Sequence, residues 1–367
     1  MPRPQAEASI GGREMTATLT IVVASHTFLN YPRVVSAAGY EASWMVPILS
    51  AVIALVVVLA LDWLFQRYFS DMGLAEVFQQ RFGIPVTMVL CVVIALYFLA
   101  ITAIILRQFM ENVVTTVLPN TPIYVVGGLF IITVVYVAFC GLEGIGRIAF
   151  LALPVFVVGI ISLCLFTMNQ WRPAFLFPLW GAGIPNLLWG VLDNSSIFTN
   201  VIVLAMIRMH IHDPKEFRRM GVRSTLYATV LLVCFLLTYH MVFSPAETVK
   251  LTSPMYSMAR LIHLGRFVQR LESIFIFMWV SAAVVKLTIT LWCAAYALSV
   301  GMGWPVLRPI LPALGLLCLA GSLLPTNLSV VLQTMDKLIL KWTWFIVFLL
   351  PLLGLLIAAM LPKRKVV

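Results

Sequence analysis

Polar side chains inside apolar stretches are the residues of this sequence that could do chemistry. The densest group is Asp193-Asn194-Ser195-Ser196, in the middle of the apolar stretch 184–209. An Asp at mid-membrane costs about 2.5–3.5 kcal/mol, and Asn and Ser side chains form local hydrogen bonds that compete with a helix. The stretch therefore predicts a discontinuous helix whose freed polar groups line a cavity. The alternative is a helix whose polar stripe only contacts neighbouring helices.

Four further side chains could contact a small ligand or hold a charge. Thr288 and Trp292 lie four residues apart, so they share a helix face. The Thr288 hydroxyl could form a hydrogen bond with a ligand, and the Trp292 ring could pack against it. Tyr97 adds a hydroxyl and an apolar ring. The alternatives are a Thr bonded to its own backbone and core packing for Tyr97. Lys286 is a mid-span ammonium, which usually faces the bundle interior and takes a partner, such as freed backbone carbonyls.

A second polar cluster lies in the first apolar stretch. Ser25, His26, Thr27 and Asn30 precede Pro32, which removes a backbone donor and restricts the residue before it. The cluster predicts an interruption of the first span. Thr27 and Asn30 are candidate ligand contacts, and Asn30 can share a face with His26, four residues earlier. His26 is either a packing residue or a proton relay.

Motifs for enzyme chemistry are absent from the sequence. We find no nucleotide-binding loop, no HExxH metal motif and no GxSxG elbow. No cysteine pair has CxxC spacing, so we expect no disulfide framework, no metal site and no cofactor. All the cysteines fall in apolar stretches and are predicted to be small buried residues. They are Cys91, Cys140, Cys164, Cys234, Cys293 and Cys318.

The composition is that of a membrane protein. Apolar residues make up 62% of the chain and charged residues 10%, whereas a soluble domain averages about 25% charged residues. The net charge of +10 would be compatible with a nucleic-acid-binding protein. The basic residues are dispersed in short loops, however, and membrane topology explains that distribution better. We therefore predict a single all-α polytopic membrane domain over residues 1–367, with a lipid bilayer and no nucleic acid as partner.

Hydropathy predicts ten transmembrane helices. Their approximate bounds are 16–38, 42–65, 84–113, 122–140, 144–168, 184–209, 224–243, 271–300, 309–324 and 344–361. The excess of Lys and Arg near one set of helix ends predicts that both termini are cytoplasmic and that the loop 244–266 is outside. Residues 257–267 and the amphipathic stretch 327–342 are predicted to be surface helices.

The two interrupted spans, the first and the sixth, occupy equivalent places in two halves of the chain. The halves are about 1–170 and 180–367. Paired broken helices in corresponding positions indicate a transporter-type site near the bilayer midplane. The halves share no residue-level repeat, so an inverted repeat is inferred from the pattern of spans.

Three stretches carry a family resemblance. They are "YPRVVSAAGYEASWMVPIL", "GLEGIGRIAFLALPVFVVGI" and "LTSPMYSMARLIHLGRFVQRLESIFIFMWVSAAVVKLTITLW", in which "RLESIFIFMWV" followed by Lys286 is the most specific part. With these, nearly the whole chain resembles the spore germination receptor B-subunit family, also called endospore germination permeases. That family belongs to the amino acid–polyamine–organocation superfamily.

The resemblance implies a leucine-transporter-like fold, a 5+5 inverted repeat with broken helices 1 and 6. It implies a nutrient-sensing subunit of a spore germinant receptor in the spore inner membrane, working with an A subunit and a lipoprotein C subunit. The ligand would be an amino acid or a similar small nutrient. Lys286 would substitute for the cation that sodium-coupled relatives hold beside the first helix.

Two departures from the family pattern bear on the ligand. Residues 24–26 read Ala-Ser-His where relatives tend to carry Gly, which weakens the expectation that bare backbone amides hold a carboxylate. Residues 198–200 read Phe-Thr-Asn where many relatives have a Phe-Glu pair, so the ligand class is open.

These features are compatible with three functions, because proteins with the same fold can have different functions. The leading hypothesis is a receptor subunit that triggers germination on ligand binding. The alternative is a proton-coupled amino acid permease, and the third is a scaffold subunit with a vestigial pocket. Binding without flux, flux of a labelled nutrient and absence of binding distinguish them.

Overall fold

The computed structural model describes residues 11–70, 72–181, 183–211, 213–262, 272–325 and 340–362, which are helical with short connections and contain no strand. The α-helices are α1 Gly12–Ala24, α2 Tyr31–Gly39, α3 Val46–Tyr68, α4 Leu74–Phe82, α5 Ile84–Thr116, α6 Ile123–Phe139, α7 Gly141–Phe166, α8 Ile184–Asn194, α9 Asn200–Met206, α10 Pro214–Val242, α11 Pro245–Thr248, α12 Pro254–Ala259, α13 Glu272–Met302, α14 Leu311–Leu323, α15 Leu340–Trp344 and α16 Leu350–Met360. The connections include the 3₁₀ turns Ser25–Phe28, Tyr40–Met45, Ser195–Ile197 and Ile207–His210 and the π-helical turn Phe345–Leu349.

The helices are those of a multi-pass membrane protein. Seven of those in the described ranges are long and apolar enough to cross a membrane, and two shorter apolar helices, Ile123–Phe139 and Arg308–Leu323, accompany them. Their outer faces carry large exposed apolar side chains, as expected where lipid replaces water. The second to the ninth sequence-predicted spans each correspond to an apolar helix or helix pair at nearly the predicted place.

The central pair of helices is α5 and α13, which pack along much of their length. Their contact includes a hydrogen bond between two buried hydroxyls, from Thr102 Oγ1 to Thr290 Oγ1 at 2.8 Å. α1 and α7 pack on another side of α13, and α10 packs against α1 and α3. α13 is therefore a fixed wall in the middle of the bundle.

The first interruption follows from side-chain chemistry. Ser25, His26 and Thr27 each bond the carbonyl oxygen three residues earlier, at 3.2, 2.8 and 3.0 Å. Local side-chain bonds of this kind compete with regular helical bonding of the backbone, and the chain continues as the 3₁₀ turn Ser25–Phe28. The chain then becomes extended at Leu29, with φ −91° and ψ −166°, and Pro32 lies in the first turn of α2, where no backbone donor is needed.

The second interruption lies about one turn later than the sequence predicted. α8 continues to Asn194, whose Nδ2 donates to Gly190 O at 2.9 Å, and Ser195 Oγ donates to Leu192 O at 3.0 Å. Helical geometry is lost at Phe198, with φ −74° and ψ 52°, and α9 begins two residues further on. The discontinuous sixth helix is present, and the break is centred on Phe198.

Two short helices differ from the sequence prediction and mark the two ends of the bundle. α4 lies where a loop was predicted and packs on α5 and α13. The predicted surface helix 257–267 overlaps only the end of α12, which buries Met255 and Met258 because it folds in against the turn Ser25–Phe28 and α13. Residues 263–267 of that prediction lie outside the described residues. α5 spans the distance between these helices, about 50 Å at 1.5 Å per residue. We call the two ends of the bundle the α4 end and the α12 end.

Most of the predicted amphipathic stretch 327–342 lies outside the described residues.

A close approach of α8 to α2 gives a first test of the fold. A Cβ atom at Gly190 would lie 2.7 Å from the Ala38 Cβ, so Gly190→Leu should force α8 away from α2. Overpacking of this kind costs about 1–3 kcal/mol, and we expect a lower Tm for the purified chain. Gly128→Leu is the control, since a Cβ there has no neighbour within 4 Å. Equal Tm values for the two variants would contradict this packing.

Candidate ligand site between two broken helices

The two interruptions meet in the middle of the bundle. The turn Ser25–Phe28 packs against α13, and α9 packs against α1, α3 and α13. The turn Ser195–Ile197 packs against α3 and α15. Both broken helices therefore border one region, and α13 forms a wall of it.

Eight buried polar side-chain atoms without a partner lie at these interruptions and on α13. An unpaired buried donor or acceptor costs about 1–3 kcal/mol, so a group of them indicates a place that water or a ligand fills. In the described part of the chain these atoms have no hydrogen-bond partner. They are Asn30 Oδ1, Tyr31 OH, Asn194 Oδ1, Ser196 Oγ, Thr199 Oγ1, Asn200 Oδ1, Thr288 Oγ1 and Trp292 Nε1.

The predicted ligand contacts fall into two groups. Asn30, Asn194, Thr288 and Trp292 are buried with polar atoms available for a ligand. Thr27 Oγ1 and Ser195 Oγ are buried but donate to backbone carbonyls, so only their lone pairs remain.

Tyr97 is also buried on α5. Its hydroxyl faces the side chain of Thr343 on α15. A ligand at this hydroxyl would therefore lie between α5 and α15.

Asp193 does not lie in this region, which corrects the expectation that it faces a cavity. Its side chain is exposed, on the side of α8 that carries the exposed Trp189 one turn earlier. The buried face of α8 consists of Leu187, Gly190, Val191 and Asn194, at i, i+3, i+4 and i+7 spacing. Asp193 is one residue off this face, so the helix turns it outward.

Lys286 lies against the first broken helix, as expected, but its contact is a side chain rather than a carbonyl. Its Nζ lies 3.2 Å from His26 Nδ1 and 3.1 Å from His26 Nε2. A nitrogen in line with one ring lone pair would lie much farther from the other ring nitrogen, so these similar distances place Nζ over the ring face. The Val22, Val23 and Ala24 carbonyls at the end of α1 accept bonds from Ser25, His26 and Thr27, and Lys286 meets the imidazole.

An aromatic cluster closes the region toward the α4 end. The Trp292 ring stacks on Tyr296, with centroids 5.0 Å apart and planes at 11°. His210 meets both rings edge-on at 5.7 and 5.4 Å. The Tyr296 hydroxyl donates to the Glu76 carboxylate on α4. Three rings, of which Trp292 is one, and a carboxylate therefore close the region on that side.

Some residues of this arrangement were not among the predicted ligand contacts. Ser196 and Thr199 carried a signal, since they are polar residues at or beside the predicted break. Glu76 and Tyr296 are far apart in the sequence, and no sequence signal indicated that they pair.

The cysteines also need a correction. Cys91, Cys293 and Cys318 are buried as predicted, Cys140 and Cys234 are exposed, and Cys164 is partly buried. Cys140 directly follows α6, and Cys234 lies on α10, where its carbonyl accepts from Cys164 Sγ at 3.8 Å; a bilayer-facing surface accepts apolar thiols as readily as a core does.

Comparison with known proteins places the chain in a family. The family model described as spore germination protein matches residues 12–302. Spore germination protein KB of Bacillus subtilis (strain 168) is 24% identical over 297 residues, which are 80% of this chain and 79% of that protein. Putative spore germination protein YfkT of the same strain is 26% identical over 253 residues, covering 68% and 69% of the two chains.

Two solved transporter structures share the fold. A substrate-bound, outward-open Na⁺-coupled sialic acid symporter gives a TM-score of 0.65 at 10% identity, covering 100% of this chain and 93% of the symporter. A nucleobase-cation-symport-1 family transporter, closed with bromovinylhydantoin bound, gives a TM-score of 0.62 at 12% identity, covering 91% and 76%. The fold is that of transporters, while the match over residues 12–302 shows that the chain belongs to the spore germination protein family.

Proposed function

We propose that this chain is the nutrient-sensing membrane subunit of a spore germinant receptor, and that it triggers germination when a small ligand binds between its two broken helices. The single observation that carries the proposal is the group of buried polar atoms without partners at both interruptions and on α13. A receptor needs a site that is incomplete without its ligand. These atoms are such a site.

The ligand is a small nutrient, an amino acid or a molecule of similar size. Asn30 and Asn194 supply amide oxygens to an ammonium or hydroxyl group, and Thr288 supplies a hydroxyl. Trp292 walls the site, and Tyr97 lies on the neighbouring helix. Thr27 and Ser195 accept hydrogen bonds through their remaining lone pairs. No catalytic step and no cofactor is assigned to these residues.

Lys286 holds the first broken helix to α13 as a bound cation would. A buried ammonium is tolerated in a membrane helix when it takes a partner inside the bundle. The His26 ring supplies that partner, at 3.1 and 3.2 Å. Because the position is filled by a side chain, the chain should need no sodium.

The proposed architecture has ten spans, with the first five and the last five related as an inverted repeat in one domain. The interruptions of the first and sixth spans fit that relation. Both termini lie in the cytoplasm and the α12 end faces outward, following the distribution of Lys and Arg. The chain lies in the spore inner membrane, together with receptor A and C subunits.

The proposed topology can be tested at the two ends of α10. Lys250 follows α10 and Lys215 is in its first turn, and both are exposed. In a variant whose native cysteines are replaced by alanine, a membrane-impermeant thiol reagent added outside should label Lys250→Cys and leave Lys215→Cys unlabelled. The opposite pattern would invert the proposed orientation.

A proton-coupled amino acid permease is the second candidate. The observation that favours it is the fold, which is shared with a Na⁺-coupled sialic acid symporter and a nucleobase-cation-symport-1 family transporter, and two groups that could carry a proton, Lys286 and His26, lie beside the first broken helix. Flux of a labelled amino acid with proton movement would support this alternative.

The receptor role is tested in spores with and without this chain, exposed to single nutrients one at a time. We expect deletion to remove the response to one nutrient or to a small group of them, while the responses through other receptors persist. A deletion strain that responds normally to every nutrient would overturn the proposed function.

A further inference from the structure

The short helix α4 lies at the end of the bundle where the aromatic cluster closes the ligand site. It spans Leu74–Phe82, between Gly73 and Gly83. Gly83 has a φ of 81°, in the region of positive φ that favours glycine. Hinges of moving segments are a few residues at the ends of such elements, often small ones, that absorb changes in φ and ψ. Gly83 is therefore a suitable hinge between α4 and the long helix α5.

One side of α4 is held by α16. The fully buried Phe78 ring packs so closely on Gly354 that a Cβ atom there would lie 2.6 Å from Phe78 Cε1. Arg81 Nη1 donates to Leu361 O, directly after α16. These contacts anchor α4 to α16 independently of α13.

Another contact joins α4 to the wall of the ligand site. Tyr296 OH donates to the Glu76 carboxylate, and the Tyr296 ring stacks on Trp292 with centroids 5.0 Å apart. Both rings are almost completely buried, and a hydrogen bond to a charged acceptor is stronger than one between neutral groups. The Tyr296 hydroxyl thus connects α4 to the ring that borders the proposed ligand site.

We propose that α4 is a lid over the ligand site and that the bond between Tyr296 and Glu76 is its latch. With the latch made, α4 and the aromatic cluster keep water out at the α4 end. With the latch broken, α4 moves away from α13 about Gly83, and water reaches Thr288, one turn before Trp292 on the same face of α13. What the lid covers rests on the proposed function, whereas the lid itself rests on the contacts of α4.

The test measures how fast a small hydrophilic methanethiosulfonate modifies Thr288→Cys in the full chain in lipid nanodiscs, with the native cysteines replaced by alanine. The Thr288 side chain is fully buried, so modification requires a local opening. Tyr296→Phe keeps the ring and removes the latch hydroxyl. It should raise the modification rate at least about tenfold, because the loss of a hydrogen bond to a charged group increases the open population by about that factor.

Tyr239→Phe is the matched control at the opposite end of the bundle. Tyr239 is also fully buried, and its hydroxyl donates to Thr248 O at 2.8 Å. The substitution removes a buried hydroxyl of the same kind without touching α4, so the modification rate should stay at the value of the unlatched chain's parent.

Substitutions of Glu76 keep the test decisive if Tyr296→Phe does not fold. Glu76→Gln retains an acceptor for the Tyr296 hydroxyl and should stay close to the parent rate, whereas Glu76→Ala should match Tyr296→Phe. An unchanged rate in a folded Tyr296→Phe or Glu76→Ala chain, or an equal rise in Tyr239→Phe, would overturn the lid. The labelling needs neither nutrient nor germination, so its failure is distinct from a failure of the proposed function.

Discussion

Lys286→Met spores are expected to lose most of their germination response even at saturating nutrient. The substitution keeps an apolar side chain of similar length and removes the ammonium that contacts the His26 ring at 3.1 and 3.2 Å. A buried polar group left without its partner costs about 1–3 kcal/mol, which is about a 5- to 150-fold change in the population of the signalling-competent state. The measurement is the germination rate at saturating nutrient, with the amount of the subunit checked in spore membranes.

Lys250→Met is the matched control, because Lys250 is an exposed lysine in a connecting segment. It should germinate like wild type. Sodium should have no effect on the wild type, since a side chain already fills the position. A normal response from Lys286→Met spores would show that Lys286 does not act in place of a cation.

Thr288→Val is expected to weaken nutrient binding strongly and leave Tm almost unchanged. The Thr288 side chain is fully buried, and its hydroxyl has no partner in the described part of the chain. Valine has the same shape, so the fold loses no hydrogen bond. A ligand that used this hydroxyl would lose about 1–3 kcal/mol, and Kd should rise by roughly a factor of ten for each 1.4 kcal/mol. Calorimetry on the purified chain, with the nutrient found in the spore screen, gives this Kd.

Thr290→Val is the control on the same helix. Its hydroxyl is bonded to Thr102 at 2.8 Å, so its loss should lower Tm, at a net cost of about 0.5–1.5 kcal/mol, without a direct effect on Kd. The reverse pattern, with Kd raised by Thr290→Val and untouched by Thr288→Val, would place the nutrient on another face of α13.

The sixth span shows how far the sequence could predict the site. Asp193-Asn194-Ser195-Ser196 predicted a discontinuous helix, because short polar side chains compete for backbone bonds, and this prediction is confirmed. The break itself is centred on Phe198, after a turn of 3₁₀ helix, and Asp193 is exposed. Composition indicates that a helix is interrupted, whereas the facing helices decide which residue leaves the helical geometry.

Contacts between residues that are far apart in the chain could not be predicted from the sequence. Lys286 was expected to take a partner near the first break, but its contact with the His26 ring depends on how the turn Ser25–Phe28 packs against α13. The bond between Tyr296 and Glu76 depends on α4, a short helix that hydropathy does not show. The long spans were predictable because about 20 apolar residues suffice to cross a bilayer.

Binding and flux measured together in proteoliposomes test the central claim most directly. The chain is reconstituted alone, and the labelled nutrient from the spore screen is followed both as bound ligand and as ligand accumulated in the lumen. We expect saturable binding that Thr288→Val weakens, with no uptake above that of empty liposomes, with or without a proton gradient. Uptake driven by the proton gradient would contradict a purely sensing role and favour the permease, and absence of saturable binding would show that the site between the broken helices is vestigial.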